Sequence, residues 1–365
     1  MKIMRIRTGL LRTPLKVPFK TAVRTVNEMT DVIVKIETDC EISGWGSAPP
    51  TGKVTGDTVG SITGAINEMI SPVMIGADVS DLEHCLDILD ASLIRNTSAK
   101  AAIDIALHDI WARSVKQPAW KLFGGSGHDV ETDVTISVNT PEEMAADSRR
   151  ALKDGFKIIK TKVGVGPEID FIRIKAIRDA VGSGVKIRID ANQGWKPNEA
   201  VKILNRMQDA GFDLELVEQP VKAGDLEGLA YVTANSPVPV AADESCWSAK
   251  DAMEILRRRA ADMVNIKLMK CGGIRNARQI IAVSQAMGAE VMIGCMLEGK
   301  VSCAAAVHLA SAYSCITRID LDGPVLCTVD PVKGGPLFDG GPKIRLNEDP
   351  GFGVEDVPGL QWLDK

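Results

Sequence analysis

The chain has 365 residues, enough for one large domain and a smaller one. With 45% hydrophobic and 25% charged residues it reads as an ordinary globular protein, and its formal net charge of -5 argues against a general nucleic-acid surface. Lys and Arg scattered through the first twenty residues leave no apolar signal core, and no stretch reaches the roughly 18 apolar residues of a membrane span; a cytoplasmic location with no membrane or nucleic-acid partner is expected. The eight cysteines form no C-x-x-C pair and no zinc spacing, so they read as reduced, mostly buried thiols.

Residues 1 to about 47 suggest a strand meander, with clear alternation in Asp31-Val-Ile-Val-Lys-Ile-Glu-Thr38 and a turn at Gly44-Trp-Gly46. Two loops rich in Gly, Pro and Thr are expected, Pro18 to Thr30 and Pro49 to Thr58. Helical spacing follows in Thr58 to Ile70, Leu82 to Leu93 and Ala101 to Val115, with Ser98 as a cap candidate for the last. From about Val130 strands and helices alternate. Strand Thr132–Val138 precedes a helix capped by Thr140, with Pro141, Glu142 and Glu143 in its first turn.

Five short β-branched runs then end in Lys162, Asp190, Glu218, Asp243 and Lys267, at gaps of 28, 28, 25 and 24 residues. Each gap holds about one strand, one helix and two loops. Two further strands are expected at Glu290–Gly294 and Ile316–Asp322. That makes at most eight βα units with the last helix weak or missing, which points to a closed parallel barrel. An open doubly wound sheet is the alternative, but no G-x-G-x-x-G follows an early strand; Gly164-Val-Gly166-Pro167 lacks the third glycine. The last 40 residues, with Gly334-Gly335 and Gly340-Gly341-Pro342, suggest an irregular return strand. The expected α/β architecture is a (β/α)7β-type TIM barrel at 126–325. An α+β capping domain is made of residues 1–125, with substrate-covering loops near 18–30 and 49–58, and is completed by the segment 326–365.

Polar residues at the carboxyl ends of successive barrel strands share one mouth. Asp190, Glu218 and Asp243 are three carboxylates on neighbouring strands with no histidine among them, a hard-oxygen set suited to Mg²⁺ or Mn²⁺. Lys160 and Lys162 share a strand face by periodicity. Two ammoniums side by side need compensating anions, and the crowding is expected to lower the Lys162 pKa. Lys267, four strands on, faces Lys162 across the barrel. Bases on opposite sides of one carbon suit an epimerisation, and a divalent cation would stabilise the enediolate left when a proton beside a carboxylate is removed.

The chain resembles the enolase superfamily, muconate-lactonising-enzyme subgroup, over nearly its whole length. Lys160-Thr-Lys162 resembles the K-x-K of the second barrel strand. Asp190-Ala-Asn-Gln-Gly-Trp195, Val217-Glu-Gln-Pro220 and Ala242-Asp-Glu-Ser245 resemble the three ligand motifs, and Asn265-Ile-Lys267 with Cys271-Gly-Gly273 resembles the sixth-strand base motif. The resemblance implies one Mg²⁺ per subunit, with Mn²⁺ as a substitute, Lys162 and Lys267 as catalytic bases, Lys160 as enediolate support, and a homo-oligomer. On the eighth strand, Arg318-Ile-Asp-Leu-Asp322 is similar to the D-x-D signature of dipeptide epimerases, which implies that Asp320 and Asp322 bind the substrate's α-ammonium. Arg24, in Phe19-Lys-Thr-Ala-Val-Arg24, is similar to the loop arginine that meets a glutamyl side chain in alanine–glutamate epimerases.

The activity so implied is dipeptide epimerisation, with L-Ala-D/L-Glu from cell-wall peptide as favoured substrate. The alternatives are epimerisation of hydrophobic or cationic dipeptides, N-acylamino-acid racemisation, o-succinylbenzoate synthesis, muconate cycloisomerisation and a silent binding protein. Thr135, Ser137, Cys295 and Glu298 are further pocket candidates. Ser47 stands where many relatives carry Glu. The four histidines show no ligand spacing and read as structural.

Overall fold

A computed structural model describes residues 1–20 and 25–363. Strands β1 (Ile3–Lys20), β2 (Thr25–Thr38) and β3 (Ser43–Ala48) form an antiparallel sheet. The expected loop from Pro18 to Thr30 is mostly paired hairpin, with Phe19 opposite Val26 and Lys20 opposite Thr25. A register shift between Pro14 and Phe19 spans the two prolines, which cannot donate to the ladder. The second expected loop does run irregularly up to Thr58, whose side chain caps the next helix through Ser61.

The Gly44-Trp-Gly46 segment lies within β3 and is not a turn. Its glycines serve close approach: a Cβ on Gly46 would sit 1.9 Å from the Ala102 carbonyl oxygen of helix α1 (Thr97–Ser114). Ser98 does not cap that helix. It is buried inside the first turn, after Asn96 in the left-handed region. Almost every residue from Ser98 to Ile110 is buried, because α1 lies between the cap sheet and the barrel. Its Asp104 accepts from the backbone N–H groups of Ile274 (2.6 Å) and Arg275 (3.3 Å), at the start of helix α2 (Ile274–Ala286). The residue before α2 is Gly273, which has no side chain to cap it, so an acid of the cap segment does so from outside.

Eight parallel strands follow in sequential order: β4 (Val134–Ile136), β5 (Ile158–Lys162), β6 (Lys186–Asp190), β7 (Leu214–Glu218), β8 (Val240–Ala242), β9 (Met263–Ile266), β10 (Glu290–Gly294) and β11 (Ile316–Asp320). β4 is shorter than the expected Thr132–Val138, and its flanking residues close the barrel seam against β11 instead. Asp133 N–H donates to the Ile319 carbonyl (3.2 Å), Leu321 N–H to Thr132 Oγ1 (2.8 Å) and Thr135 N–H to Asp322 Oδ2 (2.7 Å). The sequential order and this closure give a near-barrel and exclude the doubly wound alternative.

Helices follow the first seven strands, the last being α3 (Lys300–Ala312), while β11 leads only into a short 3-10 turn at Gly323–Leu326. The helix at Pro141–Lys153 has the expected Thr140–Glu143 capping box. The tail returns to the cap sheet, where strand β12 (Gln361–Trp362) pairs with β1. Among the described residues no helix is long and apolar enough to cross a membrane.

Candidate active site

The strands that end at or just before Lys162, Asp190, Glu218, Asp243, Lys267 and Asp320 turn polar at their carboxyl ends, so these side chains gather at one mouth. Asp190, Glu218 and Asp243 each place a carboxylate oxygen within 4.8 Å of the others, and all three are buried. The compensating anions that Lys160 and Lys162 require are these same groups. Lys160 Nζ lies 2.5 Å from Glu218 Oε2, 2.6 Å from Asp320 Oδ2 and 3.7 Å from Asp190 Oδ2. Lys162 Nζ lies 2.5 Å from Asp190 Oδ2, and Lys267 Nζ 2.9 Å from Asp243 Oδ2. Four strands separate Lys162 from Lys267 in an eight-stranded ring, so they occupy opposite walls.

Burial opposes charge here and partner charges decide the outcome. Against burial, Asp320, Glu218 and Asp190 hold Lys160 well above the usual lysine range, and Asp243 and Glu218 do the same for Lys267. Asp190 stays below the usual carboxylate range because Lys162 and Lys160 outweigh its burial. Glu218 is pushed upward by burial and by the Asp190 charge. The three ligands are oxygen donors only, gathered in one buried spot, and one of them resists ionisation beside its neighbours. That donor set fits a hard divalent cation.

A cavity of about 160 Å³ opens over this cluster, lined among others by Thr51, Thr135, Lys162, Lys267, Cys295, Asp320 and Asp322. A larger cavity of about 450 Å³ shares Phe19, Thr135 and Leu326 with it and includes Ser137, but reaches neither base lysine nor any of the three clustered carboxylates. The lysine–carboxylate cluster therefore opens into the smaller one. Asp320 is drawn down to about 2 because Lys160 and Lys267 overcome its burial. Asp322 is pushed up to about 6 by burial and by Asp320. Arg24 lies outside the described residues.

Glu298 does not line the cavity. It is buried behind it, accepting from Met296 N–H (2.7 Å) and from the Ser302 hydroxyl, and burial pushes it up to about 7. Ser47 accepts from Ser302 N–H (3.0 Å), so it joins β3 to the start of α3.

Three residues of the cluster escaped the sequence reading. Lys270 is buried with its ammonium 2.6 Å from Asp243 Oδ1 and bonded to the carbonyls of Asp243, Cys246 and Asn265. A four-residue helix from Leu268 to Cys271, stopped by left-handed Gly272, turns it back under the site. Glu244 lines the cavity and is pushed up to about 7 by burial and by Asp243. Asp133, buried at the seam, forms a second carboxylate cluster with Asp320 and Asp322.

Residues 5–124 match the mandelate racemase/muconate lactonizing enzyme N-terminal domain, and residues 143–356 the enolase C-terminal domain-like model. The chain is 54% identical to the L-Ala-D/L-Glu epimerase of Clostridium acetobutylicum, over 98% of this chain and 99% of that one. It superposes on the substrate-liganded L-Ala-D/L-Glu epimerase of Bacillus subtilis with a TM-score of 0.95 at 46% identity, covering 97% and 99% of the two chains. The dipeptide epimerase of Enterococcus faecalis, complexed with Mg and L-Leu-L-Tyr, gives a TM-score of 0.94 at 39% identity, covering 98% and 100%. The chain belongs to the mandelate racemase/muconate lactonizing enzyme family.

Proposed function

We propose that this family member is a Mg²⁺-dependent dipeptide epimerase that inverts the α-carbon of the C-terminal residue, with L-Ala-D/L-Glu as the favoured substrate. The observation that carries this reading is the pairing of Lys162 and Lys267, on opposite walls, with the carboxylate cluster, next to Asp320 and Asp322 in the same cavity. Asp190, Glu218 and Asp243 would hold the metal, which supplies Lewis-acid stabilisation of charge developing on the substrate carboxylate.

Lys162 and Lys267 would exchange the α-proton, one removing it and the other returning a proton to the opposite face. A base must be neutral to act. In the described geometry Lys162 is paired with Asp190 Oδ2 and Lys267 with Asp243 Oδ2. Lys160, between Asp320 and Glu218, would remain charged and face the enediolate. Asp320 and Asp322 would bind the N-terminal ammonium, which suits a free dipeptide better than an N-acylated amino acid. In this reading Arg24 selects an acidic C-terminal side chain, and the product enters the turnover of cell-wall peptide in the cytoplasm.

The test is a dipeptide library in D₂O with Mg²⁺, read by mass spectrometry. Deuterium uptake at the C-terminal α-carbon of L-Ala-L-Glu, lost with EDTA, is expected. Equal uptake by N-acetyl or N-succinyl amino acids would remove the ammonium role of Asp320 and Asp322. Uptake confined to non-acidic dipeptides would remove that of Arg24.

A further inference from the structure

The seam between β4 and β11 buries an acid that the mechanism above does not use. Asp133 is inaccessible to solvent, and it places a carboxylate oxygen within 4.8 Å of those of both Asp320 and Asp322. Its Oδ2 receives Arg188 Nη1 at 2.8 Å, and the same nitrogen reaches the Ile319 carbonyl (3.0 Å) one residue before Asp320. Its Oδ1 is buried with no hydrogen-bond partner. Asp320 and Asp322 line the catalytic cavity, whereas Asp133 does not. It therefore stands behind the pair and acts through it.

Arg188 is shared, because its Nε also binds Glu215 Oε2 at 2.6 Å. Lys160 is shared as well, among Asp320, Glu218 and Asp190. The ion pairs of these three buried carboxylates thus come from two shared cations, with Lys267 acting on Asp320 as well, and one Asp133 oxygen is left without a partner. Resting on the dipeptide reading, we propose that Asp133 is the third anion of the α-ammonium subsite, a positioning residue whose charge beneath Asp320 and Asp322 selects a free amine over a blocked one. Burial and the Asp320 charge push the Asp133 carboxyl well above its usual range, and an arriving alkylammonium supplies the positive charge that favours its ionised form.

The experiment compares wild type with Asp133→Asn, an isostere that keeps an oxygen for Arg188, using the Mg²⁺-loaded full chain. Steady-state kinetics are read with L-Ala-L-Glu and with its N-acetyl form by α-deuterium uptake, and a melting curve checks the fold. The expected result is a rise in KM for the free dipeptide on the order of tenfold, from the loss of one partly screened charge near the ammonium, with kcat changed less than about twofold. The N-acetyl arm is expected not to move, so the preference for the free amine narrows, and Asp133→Glu is expected to recover part of it. An unchanged KM in a folded variant overturns the proposal, as does an equal fall in both arms through kcat, which would report only a damaged seam. If Asp133→Asn does not fold, Asp133→Ser is read in the same way. A wild type that exchanges no dipeptide proton at all refutes the epimerase reading instead, which keeps the two failures distinct.

Discussion

Replacing Lys270 by Met tests whether the buried ammonium beneath Asp243 is part of the site's construction. Met keeps an unbranched apolar stem in the same space, so packing changes little and the loss is electrostatic. What disappears is the 2.6 Å ion pair to Asp243 Oδ1 and bonds to the carbonyls of Asp243, Cys246 and Asn265, all buried. Asp243 retains Lys267 at 2.9 Å on its other oxygen, so the carboxylate is not left wholly uncompensated. Removing one partner of a buried pair costs about 3–5 kcal/mol, and the freed carbonyls keep the figure near the upper end. With roughly 2 cal/mol/K of unfolding entropy per residue over 365 residues, this corresponds to a fall of about 6–7 °C in Tm. The assay is thermal unfolding in EDTA and again in Mg²⁺. Asp243 paired with a divalent cation depends less on Lys270, so the Mg²⁺-induced rise in Tm should be larger in Lys270→Met than in wild type. A variant that melts like wild type in EDTA would refute the reasoning.

Lys162→Ala and Lys267→Ala should each lower epimerisation by about 10³-fold, since each would remove a proposed proton-transfer group; full activity in either, followed by product stereochemistry, would exclude two-base chemistry. Asp31, on β2, is pushed up to about 8 by burial and by the Glu298 charge, against the pull of Gly299 N–H at 2.8 Å. Its folded pKa thus lies above its unfolded value near 4, so both states are protonated below pH 4. As pH rises towards 8 the unfolded chain releases a proton that the folded one retains, and stability falls. Asp31→Asn should therefore unfold about 2 kcal/mol or more later than wild type at pH 8, with no gain at pH 4. A gain that is the same at both pH values in denaturant titrations would show that ionisation is not the cause.

The strand-end residues were legible because each interrupts an apolar run at a fixed interval, and because Lys160 and Lys162 obey the two-residue period of a strand. Gly44 and Gly46 misled because glycine for a turn and glycine for close approach look alike; only the Ala102 carbonyl against β3 distinguishes them. Ser98 misled because Asn96, in the left-handed region, starts the helix earlier without a side-chain cap. The hairpin through Pro18 was hidden by its prolines, which a register shift accommodates. Lys270 and Asp133 left no sequence signal of their kind. Their roles depend on a backward turn at Gly272 and on the seam with β11, contacts between segments that one-dimensional spacing does not encode.

The site's charges bear on which substrate fits. Beside the eighth strand, Asp133, Asp320 and Asp322 place carboxylate oxygens within 4.8 Å of one another, and the cations that pair with them are shared, Lys160 with Glu218 and Asp190, and Arg188 with Glu215. Burial and the Asp320 charge push Asp322 up to about 6, the mark of like charges crowded in a low-dielectric interior. An α-ammonium placed there would supply the missing positive charge. A glutamyl side chain adds one negative charge, which Arg24 would meet. An N-succinyl amino acid brings two carboxylates and no ammonium, so it would leave the crowding of Asp133, Asp320 and Asp322 unrelieved. The electrostatics of this chain therefore favour a ligand with a free amine, and on the proposed reading the discrimination falls at the eighth strand, away from the lysines proposed to transfer the proton.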